Sequence, residues 1–266
     1  MEGALPGQVE QKSIIVTGSG SGIGEAIARD LAAQGGRLVI ADINLAAAER
    51  VANAIRKDGA EAIAVKVDVV DRASVQAMIK AAVKVHGRLD VMFNNAGISK
   101  AGRFLEASET DFTRIMNINA LGVLIGMQEA AKQMIAQGGG GKIINTASIA
   151  GKVGEKIATI YCASKACVIS LSQAGAEALG EYNITVNCFS PGFVKTPLWD
   201  GLDQDLIKAG YREEPNAVEE LARNKAILKR VSTPEDLVGA TTFLASDRSN
   251  YMTGQNLMVE GGVRMV

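Results

Sequence analysis

Short apolar segments alternate with longer segments of helical periodicity along most of the chain. The predicted strands cover residues 13–17, 37–42, 62–67, 89–93, 142–146, 184–188 and 257–260. The predicted helices cover residues 25–34, 45–57, 72–85, 109–137 and 159–181, the fourth with an irregularity near residues 117–119. Alternation of this kind favours right-handed crossovers and a parallel sheet. Because the strands are apolar along their whole length, helices should cover both faces of that sheet.

No internal repeat or long linker divides the 266 residues, since the glycine run at residues 138–141 is too short to join two domains. The pattern therefore predicts one α/β domain over residues 1–266, built on a doubly wound sheet of about seven parallel strands. The segment from Leu198 to Lys229 breaks the alternation with mixed charges, a glycine and a proline. By its residues alone it is a surface helical insertion.

Composition narrows the class of protein. With 28 basic and 29 acidic residues the net charge is −1, so nothing points to nucleic acid or an anionic membrane surface as a partner. The sequence has no apolar run of about 18 residues, so no membrane span is expected. The start, Met1–Gly7, lacks the features of a secretory signal and is expected to be a short frayed arm.

The three cysteines form no Cys-x-x-Cys pair, and His86 is the single histidine. A zinc site is not expected, which argues against a zinc-type alcohol dehydrogenase. Free cysteines fit the reducing cytoplasm.

Glycines 18, 22 and 24 lie between the first strand and the first helix. Without side chains they let the backbone approach a pyrophosphate, which the helix N-terminus attracts through its free N–H groups. Asp42 ends the second strand, where an acidic group can accept hydrogen bonds from both adenosine ribose hydroxyls and repel a 2′-phosphate. No Arg or Lys lies between Ser19 and Ile23 or directly after Asp42, so the sequence favours NAD over NADP. The alternative is that Asp42 is an ordinary strand-end turn residue.

Tyr161 and Lys165 are four residues apart in a predicted helix and so share one face. A free tyrosine has a pKa near ~10, too high for a base at neutral pH. A lysine ammonium one turn away favours the phenolate, and we expect it to lower the pKa of Tyr161. Ser148, thirteen residues upstream of Tyr161, could hydrogen-bond a substrate oxygen that the tyrosine protonates or deprotonates. A solvated Tyr–Lys pair and a plain strand-end serine are the alternatives.

These segments, in order, resemble the short-chain dehydrogenase/reductase family from about Lys12 to Gly262. The matching motifs are Thr17-Gly18-x-x-x-Gly22-x-Gly24, Asn94-Asn95-Ala96-Gly97, Asn119, Ser148, Tyr161-x-x-x-Lys165 and Pro191-Gly192-x-x-x-Thr196. The resemblance implies a Rossmann-type fold and hydride transfer between a nicotinamide cofactor and an alcohol or ketone.

The resemblance also implies roles for single residues. Tyr161 would exchange the proton of the substrate hydroxyl, Ser148 would orient the substrate oxygen, Lys165 would also hold the nicotinamide ribose, and Asn119 would anchor a water that relays protons. The expected cofactor-binding residues are Gly18, Gly22, Ile23, Gly24, Asp42, Asp68, Val69, Asn94, Gly97, Tyr161, Lys165, Pro191, Gly192, Val194 and Thr196. For Asn95 a structural role, bonding neighbouring backbone, is expected instead. The segment from Leu198 to Lys229 corresponds to a mobile substrate lid.

Three runs resemble acetoin reductases, 2,3-butanediol dehydrogenases and bacterial polyol dehydrogenases: residues 41–44, 141–148 and 191–203. This resemblance implies a small secondary alcohol as substrate, such as a vicinal diol or a polyol. The alternative enzyme is a 3-oxoacyl thioester reductase that uses NADPH. Asp42 argues against this alternative, because its carboxylate would repel the 2′-phosphate of NADPH. A cofactor-binding regulator without activity is the alternative from another class.

The candidate pocket residues are Ser99, Ile149, Glu155 and Phe193. Glu155 could bind a second hydroxyl of a diol, or it could be a solvated loop charge. Trp199 could close over the substrate or anchor the lid.

Members of the resembled family are mostly tetramers paired through the two long helices that follow the fourth and fifth strands. The apolar residues of 123–134 and 168–179 are compatible with a homotetramer and equally with ordinary packing on the sheet.

Overall fold

The computed structural model describes residues 7–264, so most of the expected N-terminal arm lies outside the described residues. The described chain forms one sheet of seven parallel strands in the order β3-β2-β1-β4-β5-β6-β7. The strands are β1 (Ser13–Thr17), β2 (Arg37–Asp42), β3 (Ala62–Lys66), β4 (Val91–Asn94), β5 (Gly141–Thr146), β6 (Ile184–Pro191) and β7 (Asn256–Val259). The prediction of a parallel, doubly wound sheet is confirmed.

Helices cover both faces of the sheet. They are α1 (Gly22–Ala33), α2 (Leu45–Lys57), α3 (Arg72–His86), α4 (Glu109–Met116), α5 (Gly122–Gln137), α6 (Thr159–Leu179), α7 (Pro197–Lys208), α8 (Ala217–Lys225) and α9 (Glu235–Ala245). One apolar core joins α3, α5 and α6 to the sheet, and a second core on the other face joins α1, α2 and α9. Within residues 7–264 no helix is both long enough and apolar enough to cross a membrane.

The predicted helix over residues 109–137 is interrupted, as expected. A turn of π-helix at Asn117–Leu121 separates α4 from α5. Such turns shift the hydrogen bonding by one residue and are frequent at functional sites. Here the turn carries Asn119, whose side chain is fully buried.

Helix α9 is absent from the pattern-based prediction. Two of its buried residues are Thr241 and Thr242, which lie beside Leu237 and Leu244. Because threonine is polar, the helical spacing of apolar residues is interrupted in this segment of the sequence. The Thr242 hydroxyl donates a hydrogen bond to Asp30 of α1, which compensates for burying that polar group on this face.

The expected lid segment contains α7 and α8, which are held together by one carboxylate. The buried Asp203 of α7 accepts hydrogen bonds from the backbone N–H groups of Asn216 at 2.8 Å and Ala217 at 2.9 Å, at the start of α8. These two N–H groups would otherwise lack partners at a helix N-terminus. The two helices therefore form one connected unit over the carboxyl ends of β5 and β6.

Candidate active site

A groove of about 600 Å³ runs along the carboxyl ends of the central strands. It lies at the switch point between β1 and β4, where ligands bind in open α/β sheets. Gly18 and Gly22 adopt positive φ angles of 65° and 56°, which favour glycine. A Cβ atom on Gly18 would lie 2.8 Å from Ala96 Cα, and one on Gly24 would lie 2.3 Å from the Gly18 carbonyl oxygen. The glycine loop can therefore come this close to its neighbours and to a ligand only without side chains.

Asp42 is fixed at one end of this groove by backbone donors. Its Oδ2 accepts the N–H of Gly20 at 2.9 Å and its Oδ1 accepts the N–H of Asn44 at 2.9 Å. Arg50, on the next helix, is engaged elsewhere, since it donates to Glu25 at 2.6 Å and to the Gly20 carbonyl at 2.8 Å. Among the described residues that line the groove, Lys165 is the only cation, and it lies at the far end beside Tyr161.

The two asparagines after β4 have different positions. Asn94, expected to bind the cofactor, does not line the groove: its side chain is buried and donates to Asn145 Oδ1 at 2.8 Å. The Asn94 side chain points into the core toward α5, where a Cβ atom on Gly126 would lie 2.0 Å from its Oδ1. Asn95 lines the groove but also donates to the Thr17 carbonyl at 3.0 Å and accepts from Thr146 at 3.1 Å. Asn95 thus ties β1 to β5, in keeping with the structural role expected for it.

The side chain of Asn119 connects two segments of the site. Its Nδ2 donates to the Ile98 carbonyl at 2.8 Å and to Ser164 Oγ at 3.0 Å, while its Oδ1 accepts the Ile98 N–H at 2.9 Å. A Cβ atom on Gly97 would lie 3.2 Å from Asn119 Oδ1 and 3.5 Å from Lys165 Nζ. The space next to these two polar groups therefore depends on the glycine.

Ser148, Tyr161 and Lys165 meet where the groove reaches a second cavity. Ser148 and Lys165 are buried, and Lys165 Nζ lies 5.7 Å from the centre of the Tyr161 ring. The Lys165 ammonium donates to the Thr146 carbonyl at 2.7 Å. Burial lowers the pKa of Lys165 to about 8.

The expectation that Lys165 lowers the pKa of Tyr161 is wrong for the free protein. Burial raises the pKa of Tyr161 to about 12, and the nearby Ser148 hydroxyl offsets only part of that rise. Burial is the largest influence on the pKa of this phenol, and the Lys165 ammonium, 5.7 Å from the ring centre, donates to the Thr146 carbonyl. Tyr161 is therefore a protonated phenol at neutral pH in the free protein.

The second cavity has a volume of about 140 Å³ and lies under α7 and α8. Most of its lining is apolar, including Phe193 and Trp199, whose ring centres are 6.0 Å apart. Ile23, Tyr161, Thr196 and Leu198 line both the groove and the cavity. A ligand in the groove and another in the cavity would thus meet beside the Tyr161 hydroxyl.

Most of the predicted site residues come together in these two spaces. The groove is lined by Gly18, Gly22, Ile23, Gly24, Asp42, Asp68, Val69, Gly97, Tyr161, Lys165 and Thr196. The cavity is lined by Ser99, Ser148, Ile149, Glu155, Tyr161, Pro191, Gly192, Phe193, Val194, Thr196 and Trp199.

Sequence reasoning missed several lining residues. Ile43 lines the groove with 60% of its side chain exposed, and its place directly after Asp42 could have identified it. Lys225 and Arg264 line the cavity from distant parts of the chain, and no local pattern marks them. Across residues 7–264 no group of three or more His, Cys, Asp or Glu side chains is placed to hold a metal ion.

The fit to a dinucleotide rests on the glycine loop, the fixed Asp42 carboxylate and the length of the groove. Grooves of 300–1,000 Å³ are typical of cofactor sites. Gly18, Gly22 and Gly24 would hold the pyrophosphate, Asp42 the adenosine ribose, and Lys165 and Thr196 the nicotinamide end.

Comparisons with known proteins identify the family of the chain. The family described as enoyl-(acyl carrier protein) reductase matches residues 18–264. The diacetyl reductase [(S)-acetoin forming] of Staphylococcus epidermidis is 38% identical over 252 residues, which cover 95% of this chain and 98% of that protein. The galactitol 2-dehydrogenase of Agrobacterium fabrum is 38% identical over 256 residues, with 96% and 98% covered.

Among solved structures, a short-chain type dehydrogenase/reductase from Mycobacterium marinum superposes with a TM-score of 0.88 at 32% identity, covering 97% of this chain and 98% of that one. The fold and the site define a nicotinamide-dependent oxidoreductase. The chain belongs to the short-chain dehydrogenase/reductase family.

Proposed function

We propose that the protein transfers a hydride between NAD and a small secondary alcohol or ketone. The observation that carries the proposal is the position of Tyr161, with Ser148 and Lys165, at the junction of the dinucleotide groove and the apolar cavity. Bound NAD supplies the hydride acceptor, and its reduced form the donor. The protein supplies position and proton transfer.

The phenol of Tyr161 is the proton donor in the reducing direction. Its pKa of about 12 in the free protein keeps it protonated, so it can give a proton to the oxygen of a ketone as negative charge develops there. Ser148, buried beside it, hydrogen-bonds the same oxygen and stabilises that charge. In the oxidising direction the phenol must first lose its proton, and Lys165, which like Asn119 lies beside Gly97, would pass that proton on.

Asp42 and the charges around it support NAD over NADP. The carboxylate is held at the adenosine end by two backbone N–H groups, and Arg50 is already bonded to Glu25. A 2′-phosphate would thus meet a fixed negative charge without a free cation among the described groove residues.

Vicinal diols and polyols are the first substrates to test, because diacetyl reductase and galactitol 2-dehydrogenase are relatives. A cavity of about 140 Å³ suits a small molecule. The size of this cavity and Asp42 both disfavour the alternative, a 3-oxoacyl thioester reductase that uses NADPH.

The test is initial rates with NAD and NADP against butanediol isomers, polyols, simple secondary alcohols and 3-hydroxyacyl thioesters. Tyr161→Phe should reduce kcat by about a hundred- to ten-thousandfold while NAD binding persists, since general acid–base catalysis contributes about 10²–10⁴-fold. Tyr182→Phe, at an exposed tyrosine, is the matched control and should behave as wild type. Full turnover by Tyr161→Phe would refute the mechanism, and NAD binding without turnover of any substrate would favour the regulator.

We further propose that the protein is a cytoplasmic homotetramer. Most apolar residues of α5, such as Val123 and Met127, are buried within one chain and leave little for an interface. Support comes instead from Leu105, 93% exposed, and Phe112, 51% exposed, which flank the start of α4. Light scattering of wild type and Leu105→Glu tests this, because a charge inside an interface should shift the mass toward dimer or monomer.

A further inference from the structure

Three charged side chains gather in the wall of the substrate cavity. Glu155 comes from the loop before α6, Lys225 is the last residue of α8, and Arg264 follows β7. All three line the same cavity as Ser148 and Tyr161. The Glu155 carboxylate accepts a hydrogen bond from Arg264 at 2.6 Å and lies 3.3 and 3.4 Å from Lys225 Nζ.

The three side chains that line the cavity carry one negative and two positive charges, and the Glu260 carboxylate lies just outside this lining. Arg264 is tightly held, because its backbone N–H also donates to Glu260 at 2.7 Å. Lys225 is held less tightly: both of its distances to Glu155 are at the long end of hydrogen bonding, and 40% of its side chain is exposed. An ammonium has three donors, so Lys225 can bind a further acceptor.

The remaining wall of the cavity decides which ligand suits this cluster. Its apolar lining includes Ile149, Ile157, Phe193, Trp199, Leu202, Leu206 and Leu221. A polyol would face that wall with hydroxyl groups that lose their water, which is costly without partners. A ligand with one oxygen at Tyr161, an apolar spacer and an acidic group at Lys225 and Arg264 matches both the polar groups and the apolar wall of the cavity.

We propose that Lys225 and Arg264 form an anion subsite, so that small hydroxy acids and oxo acids are bound in preference to their neutral analogues. The proposal rests on the proposed function: it keeps hydride transfer between NAD and a small secondary alcohol or ketone and, within that class, favours hydroxy acids over the diols and polyols that the relatives suggest. The substrate carboxylate would take the long contacts that Glu155 now makes with Lys225, and charge-assisted hydrogen bonds are about twice as strong as neutral ones. Glu155 is a positioning residue that holds Arg264 and competes with the substrate anion.

The test compares 3-hydroxybutyrate, 4-hydroxypentanoate and 5-hydroxyhexanoate, each against its amide, which has the same shape without the charge. NAD-linked kcat/KM gives one acid-to-amide ratio. A second readout needs no turnover: Trp199 is the single tryptophan of the chain and lines the cavity, so its fluorescence reports ligand binding in the presence of NAD. For at least one chain length we expect the acid to be favoured about tenfold, an effect that falls with added salt.

Two substitutions should change this ratio in opposite directions. Lys225→Met keeps much of the side-chain length and removes the charge, so it should bring the ratio close to one. Glu155→Gln removes the competing carboxylate, so it should raise the ratio. Lys156→Met, at an exposed lysine next to Glu155 that does not line the cavity, is the control and should keep the wild-type ratio.

Equal binding of acids and amides by wild type, or an unchanged ratio in Lys225→Met, would overturn the anion subsite. A different result would refute the proposed function: no secondary alcohol, neutral or acidic, would support NAD reduction. The fluorescence ratio still decides the subsite in that case. If Glu155→Gln unfolds, as circular dichroism would show, Lys225→Met decides the subsite alone.

Discussion

Replacing Asp42 with asparagine would remove a charge at the adenosine end of the groove while keeping the shape of the side chain. In the structure each carboxylate oxygen accepts one backbone N–H, from Gly20 and from Asn44, both at 2.9 Å. The amide oxygen of asparagine can accept only one of these. The substitution should therefore weaken NAD use and relieve the repulsion of a 2′-phosphate.

The size of each effect follows from the surroundings of Asp42, which is half-buried. Two unit charges about 4 Å apart interact by about 4 kcal/mol at an effective dielectric constant of 20 and by about 1 kcal/mol in water. Discrimination against NADP should thus fall by a factor between about five and about a thousand. The substitution also weakens the hydrogen bonds that the adenosine ribose hydroxyls would donate to the Asp42 carboxylate, and hydrogen bonds to a charged group are worth about 1.5–3 kcal/mol. Their loss should lower kcat/KM for NAD by about ten- to a hundredfold.

The assay is kcat/KM for NAD and for NADP with one saturating alcohol. Asp58→Asn is the matched control, because Asp58 follows α2 at an exposed position outside the groove. If both cofactors weaken equally in Asp42→Asn, the carboxylate only supports the loop, and the electrostatic basis for NAD preference is refuted.

Three further predictions concern the lid, the core and pH. Asp203→Ala leaves two N–H donors at the start of α8 without a buried acceptor. It should raise KM for the alcohol several-fold and speed hydrogen exchange in α8. The control, Asp200→Ala at an exposed position of α7, should change neither. Asn94→Ala should lower the free energy of unfolding by about 1–3 kcal/mol in urea titrations yet leave KM for NAD within about twofold; a large KM change would restore a cofactor role. Burial lowers the pKa of His86 below its ordinary value, so the unfolded chain binds the proton first and stability is lost as pH falls through the folded-state pKa. Between pH 7 and pH 5 the melting temperature of His86→Gln should therefore fall less than that of wild type. An equal fall in both proteins would contradict this explanation.

The sheet, the glycine loop and the pair Tyr161 and Lys165 could be predicted because each depends on a short sequence pattern. Continuous apolar strands, glycines at a strand-to-helix turn and a four-residue helical spacing are local features. The interruption near Asn119 was predicted for the same reason.

Other features could not be predicted because they depend on contacts between distant residues. The raised pKa of Tyr161 depends on its burial by segments that are distant along the chain. Glu155 bonds Lys225 and Arg264, which are 70 and 109 residues away along the chain.

The position of α9 has a consequence for dividing this protein into parts. Although the dinucleotide groove is built mainly from the first half of the chain, α9 packs against α1 and shares the apolar core of α1 and α2. A fragment that contains only the first half would lack α9, its share of that apolar core and the hydrogen bond from Thr242 to Asp30. The nucleotide-binding half is therefore not a separable module, and its face of the sheet is complete only when residues 235–245 have been synthesised and docked.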